Sequence, residues 1–132
     1  MRILLSILFI GFFLFTNGQP KISDKNVFEF RGVWVATVEN IDWPSKRGLS
    51  NEDQKREFIA ILNMHKKNGM NAIVMQVRPS GDAMYPSTLE PWSEYLMGKQ
   101  GLPPSPFYDP LAFMIQETHK RGMEFHAWIN PY

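Results

Sequence analysis

The sequence predicts an α/β protein built on parallel strands. Three observations carry that expectation: short apolar runs rich in β-branched residues, capped helical stripes between them, and polar or turn residues wherever a run stops. A parallel strand is buried on both faces and reads as a continuous apolar run, which fits Ala72-Ile-Val-Met-Gln-Val77. That run ends in Arg78-Pro79-Ser80-Gly81-Asp82, so charge sits where a buried strand opens into a loop. In α/β proteins this carboxyl edge of the sheet is where polar ligands are gripped.

The first residues stand apart from the fold. Arg2 gives a positive start, Ile3 to Phe15 is apolar, and Thr16-Asn17-Gly18 precedes a cut ahead of Gln19. The run is shorter than the ~20 residues a spanning helix needs. Residues 1–18 therefore read as a cleaved signal peptide, and the mature chain as secreted or periplasmic, without membrane association after cleavage. Residues 19–28 form a short lead and 29–132 the domain.

Arg31-Gly-Val-Trp-Val-Ala-Thr-Val38 is the first expected strand, followed by the loop Glu39-Asn-Ile-Asp42-Trp43-Pro44-Ser45, where Pro44 forbids helix at Trp43. Ser50 with Asp53 three positions on resembles a capping box and opens a helix whose inner face is Phe58, Ile61, Leu62 and His65. Lys66, Lys67 and Gly69 end it, and the Ala72 strand follows. His65 lies away from any strand end and reads as structural. From Pro79 to Tyr108 neither a helical nor a strand period persists, and proline is frequent, so a long stiff loop is expected. Asp109-Pro110 is an N-cap with proline at the first helical position, Leu111, Met114, Ile115 and Thr118 form the stripe, and Gly122 stops it. Glu124 to Ile129 is the third strand, terminated by Asn130-Pro131 as the second was by Arg78-Pro79. The two helix ends, His65-Lys-Lys-Asn-Gly69 and His119-Lys-Arg-Gly122, make a weak internal repeat.

Composition narrows the function classes. The chain is 44% hydrophobic and 20% charged, an ordinary globular balance. A formal charge of +1 provides no global field for nucleic acid. Cysteine is absent, which removes disulfides, thiolate metal sites and a cysteine nucleophile. No histidine–carboxylate grouping has metal-ligand spacing, so neither metal nor cofactor is expected. The phosphate-binding pattern GxGxxG is missing after all three strands, which favours a (β/α) barrel segment over a nucleotide-binding sheet.

The blocks Arg31-Gly-Val-Trp34, Asn40-Ile-Asp-Trp-Pro-Ser45, Gln76-Val-Arg-Pro-Ser-Gly-Asp-Ala83, Tyr85-Pro-Ser87, Glu90-Pro-Trp-Ser93, Asp109-Pro-Leu111 and His126-Ala-Trp-Ile-Asn-Pro-Tyr132 together resemble the start of a glycosyl hydrolase-like family 10 domain. The resemblance runs from about Glu29 to the last residue. It implies a (β/α)8 barrel, export in bacteria and action on glycans, with members linked to cleavage of peptidoglycan glycan strands. It also implies catalytic carboxylates at the end of the fourth strand and beyond, past Tyr132.

Five residues are expected to touch a glycan. Arg78 and Asp82 offer fixed donors and a carboxylate that accepts from paired hydroxyls, or else bridge to each other and hold the loop. Asn130 closes the third strand, and Asp42 follows the first. Trp92 belongs to an aromatic loop with Tyr85, Tyr95, Phe107 and Tyr108, whose rings either stack on sugar faces or pin the loop. His126 reads as a hydrogen-bonded core residue. Glu39, Asp42 and Asp82 are the carboxylates near strand ends, and they do not make a credible acid and nucleophile pair. Two functions stay open: the first segment of a glycoside hydrolase, expected to be inactive by itself, or a non-catalytic glycan-binding module or inactive relic. A complete barrel takes ~250 residues and eight strands, so the chain with its three is expected to be an incomplete domain.

Overall fold

The computed structural model describes residues 29–131, and the leader and lead expected over residues 1–28 lie outside them. Three strands form one parallel sheet in the order β1-β2-β3: β1 Gly32–Val35, β2 Ala72–Arg78 and β3 Glu124–Ile129. Helix α1, Asn51–Lys67, crosses from β1 to β2. A short helix α2, Glu94–Met97, sits in the long loop, and α3, Pro110–Lys120, leads to β3. This is the α/β architecture with a parallel sheet that the strand and helix pattern predicts.

The helix boundaries follow from the capping residues. Ser50 Oγ accepts from the Asp53 amide at 3.2 Å and donates to the Asp53 carboxylate at 2.8 Å. Asp109 caps α3 through the Ala112 amide at 3.1 Å, with Pro110 at the first turn. At the far end of α1, Gly69 takes φ +81°, the left-handed stop that a side chain would strain.

One face of the sheet builds the core. By register Val33, Ile73 and Phe125 share that face, as do Val35, Met75 and Ala127. Val35, Ile73, Met75 and Val77 join Phe58 and Leu62 of α1 and Met114 of α3 in one buried cluster. The opposite face carries Trp34, Val74 and His126, then Gln76 and Trp128. Trp34 meets Trp128 edge-on at 5.1 Å, and Phe30 meets His126 at 5.3 Å.

Three local expectations are corrected. The first strand ends at Val35, because the chain turns at Thr37 into a 3-10 helix, Val38–Asn40. His126 is hydrogen-bonded, its Nε2 lying 2.9 Å from Glu124, but it is not covered by the described residues: its side chain is 45% exposed on that face. The long loop carries the turn of helix α2 and a bridge between Ala83 and Trp92, formed by Ala83 N to Pro91 O and Ser93 N to Ala83 O, both 2.9 Å. A period search misses a four-residue helix because it is barely one turn.

Candidate functional site

The carboxyl ends of the three strands meet along one edge, and each is tied down differently. Behind β1 the backbone is strained: Glu39 and Asn40 have φ of 52° and 55°. Two consecutive left-handed residues without glycine cost of order 1–3 kcal/mol each and persist only where the surroundings fix them. Here Asn40 Nδ2 donates to the carbonyls of Pro44 (2.9 Å) and Tyr95 (2.8 Å). The Tyr95 hydroxyl donates to Glu39 at 3.1 Å, while Arg47 reaches Glu39 at 3.4 Å and Glu94 at 2.6 Å. Burial of the Tyr95 ring raises its hydroxyl pKa. Asp42 closes the turn itself, its carboxylate accepting from the Ala36 amide at 2.7 Å.

Gln76, buried completely in β2, links the first two strand ends. Its side-chain oxygen accepts from the amides of Thr37 (2.8 Å) and Val38 (2.9 Å). Those two donors fix which way the amide faces, so Nε2 is the end left without a partner among the described residues.

Arg78, at the end of β2, does not bridge to Asp82. Its Nε donates to Glu90 Oε2 at 2.6 Å and its Nη2 meets Glu90 Oε1, a forked pair with side-chain exposures of 24% and 17%. Glu90 is presented by a turn in which Ser87 Oγ accepts from the Leu89 and Glu90 amides, each at 3.2 Å. Asp82 is 1% exposed and accepts from the Ser80 amide at 3.0 Å, shaping the Pro79–Asp82 turn from within.

A β-bulge lies between Gln76 and Arg78, so Arg78 pairs with Ile129 while Gln76 pairs with Trp128. Bulges re-aim side chains at sheet edges. Here the result is a cleft of about 220 Å³ lined by Arg78, Tyr85, Ser87, Leu89, Glu90 and Ile129. Asn130 is outside that lining. It accepts from the Trp128 indole at 2.8 Å and donates to the Pro79 carbonyl at 2.8 Å, which ties β3 to the loop after β2. Trp92 is half-buried and packs edge-on against Phe107 at 6.4 Å.

Of the five residues expected to touch a ligand, only Arg78 lines this cleft. Asp42, Asp82 and Asn130 hold loops, and Trp92 packs on another ring. Sequence reading missed the roles of Glu90 and Gln76. Gln76 carried a signal, a lone amide inside an apolar strand that must find partners. Glu90 carried none, since its pairing spans a loop with no period. A wider groove of about 670 Å³ lies between α1 and α3, lined by Lys55, Tyr108, Asp109 and Phe113 among others. Burial raises the pKa of Tyr108 there, and its hydroxyl donates to Gln54 at 2.5 Å. That groove takes nothing from a strand end.

The sheet-edge cleft thus combines a charge-compensated guanidinium, a hydroxyl and apolar walls, a set whose chemistry suits a polyhydroxylated ligand. Among the described residues no group of three or more His, Asp or Glu side chains could hold a metal ion.

The model of the glycosyl hydrolase-like 10 family matches residues 29–131. The chain belongs to that family. It is 62% identical over 104 residues to glycosyl hydrolase YngK of Bacillus subtilis, covering 79% of this chain and 20% of that protein. It is 42% identical over 120 residues to glycosyl hydrolase DigH of Escherichia coli K12 and of Shigella flexneri, covering 86% of this chain and 27% of those proteins. The chain therefore spans about a fifth to a quarter of the length of the curated relatives it matches. In this glycosyl hydrolase-like family member, several of the blocks that carry the resemblance, residues 40–45, 76–83, 90–93 and the end of 126–131, lie at or behind the sheet's carboxyl edge, whereas residues 31–34 open β1 and residues 109–111 begin α3.

Proposed function

We propose that residues 29–131 are the first strands of a (β/α)8 barrel in an exported glycoside hydrolase, and that their carboxyl edge binds the glycan. The forked Arg78–Glu90 pair beside an apolar-walled cleft carries the reading, since barrel enzymes bind substrate at that face. Family membership and relatives named glycosyl hydrolase support the reaction class. Peptidoglycan glycan strands are the proposed substrate.

Within the described residues the edge binds and positions. Glu39, Asp42, Asp82 and Glu90 are each engaged by the chain's own donors. Hydrolysis needs two carboxyl groups ~5–9.5 Å apart across the scissile bond, and we assign that pair to parts of the protein outside this stretch. The same occupancy favours a second reading, a glycan-binding module without catalysis.

Reducing-end release from purified glycan strands by the full-length protein separates the two. Hydrolysis that falls at least ~10-fold in Arg78→Ala supports the first, the loss of a positioned donor being worth about that much. Binding without release supports the second. Neither binding nor release overturns both. Export completes the proposal: an exported product whose mass begins at Gln19 fits it, and one retaining Met1 contradicts it.

A further inference from the structure

We infer that the Arg78–Glu90 cleft seats an uncharged sugar unit and disfavours an acidic one. The inference rests on the glycan reading above and names the class of sugar that reading leaves open. The cleft's volume, about 220 Å³, lies below the ~300–1,000 Å³ of pockets that enclose a whole ligand, so it holds one ring of a longer chain.

Charge then decides which ring. Arg78 is the one cation in the lining and Glu90 the one anion, and they are joined two-fold, through Nε to Oε2 at 2.6 Å and Nη2 to Oε1. An arginine that recognises a ligand carboxylate presents that same planar fork to the ligand. Here the fork is already filled. Both side chains are about four-fifths buried, so screening by water is reduced, and an incoming carboxylate meets Glu90 at close range. Ser87 Oγ fixes the Glu90 backbone amide at 3.2 Å, and the two-point pairing with Arg78 holds the mostly buried carboxylate in the cleft.

What the pair leaves free suits hydroxyls or an N-acetyl group. The guanidinium has five N–H donors and the carboxylate about four acceptor positions, and the fork uses two of each. Tyr85, Leu89 and Ile129 supply the apolar wall for ring C–H groups. In a strand that alternates neutral and acidic sugars, this cleft takes the neutral unit.

The test is calorimetric titration of the full chain with an N-acetylglucosamine oligomer and with a uronic-acid-containing oligomer of equal length. The neutral oligomer binds about ten-fold tighter. Glu90→Gln removes the anion and shrinks that preference about ten-fold or reverses it. Since that variant also loosens the loop, Leu89→Lys gives a second reading at a residue 92% exposed. It adds an uncompensated cation at the rim while removing part of the apolar wall, so it weakens the neutral oligomer and shifts the ratio of affinities toward the acidic one by about three-fold or more. Equal or tighter binding of the acidic oligomer by the unaltered protein overturns the inference and leaves the glycan reading standing. A ratio of affinities and a neutral affinity both unmoved by Leu89→Lys place the ligand elsewhere and also overturn it. Binding of neither oligomer removes both the inference and the glycan reading.

Discussion

Arg78 and Glu90, twelve positions apart in the sequence, close the loop after β2 with a forked ion pair that leaves each side chain mostly buried. Such a pair differs from the exposed ones on the helices, such as Lys55–Glu52, where water screens the charges. Breaking a buried pair by removing one partner leaves an uncompensated charge.

Arg78→Ala and Glu90→Ala should therefore each destabilise the folded protein, and the double variant less than their sum. Chemical unfolding in a double-mutant cycle should give a coupling of about 1–3 kcal/mol, between the exposed and fully buried ranges. Strict additivity would mean that the pair does not hold the loop.

Gln76 joins β1 to β2 through one oxygen that receives two backbone amides. Gln76→Leu keeps the bulk and orphans both donors, at about 1–3 kcal/mol each. Gln76→Glu retains an oxygen acceptor for them and should lose less if the new acid stays protonated. Its melting temperature should therefore recover toward acidic pH, whereas that of Gln76→Leu should not. Equal losses at every pH would show that the amides of Thr37 and Val38 do not depend on this side chain.

The pH dependence has two limbs with opposite causes. The Ser50 hydroxyl first, then Arg56, lowers the Asp53 pKa from its ordinary 3.8, and Lys120 first, then Arg121, lowers that of Glu117 from 4.5. Their stabilisation is present above those ordinary values and is lost as pH falls through the depressed ones. Tyr95 has the reverse sign, because burial raises its pKa above 10.0. Its contribution is whole below pH 10.0 and is lost as pH rises through the raised value. Melting temperature followed across pH should flatten on the acid limb in Ser50→Ala, which also loses a cap worth ~1 kcal/mol. It should flatten on the alkaline limb in Tyr95→Phe. Unchanged slopes in both variants would assign the limbs to other groups.

The elements were legible because their signals are local. Ser50, Gly69 and Asp109 mark helix ends through hydrogen bonds to residues close in sequence, and the β2 run states its burial in its composition. The site was legible only in its location. Arg78 could be placed at the edge, but its partner depended on how the loop folds back, and no rule of spacing selects Glu90 over Asp82. Asn130 illustrates the same limit. A polar residue at a strand end is equally suited to a ligand or to a neighbouring carbonyl, and here both ends of its amide are engaged by Trp128 and Pro79. His126 makes the expected hydrogen bond, but strand alternation gives its face and not whether the described residues cover that face.

The most direct measurement maps where a saccharide binds. In a nuclear magnetic resonance titration of the isotopically labelled protein with an N-acetylglucosamine oligomer, the largest shifts should fall on Arg78 Nε–H, Tyr85, Ser87 and Glu90, which line the sheet-edge cleft. Shifts confined to Lys55, Tyr108 and Phe113 in the groove between α1 and α3, or to Trp34 and Trp128 on the open sheet face, would contradict a glycan site at the Arg78–Glu90 pair.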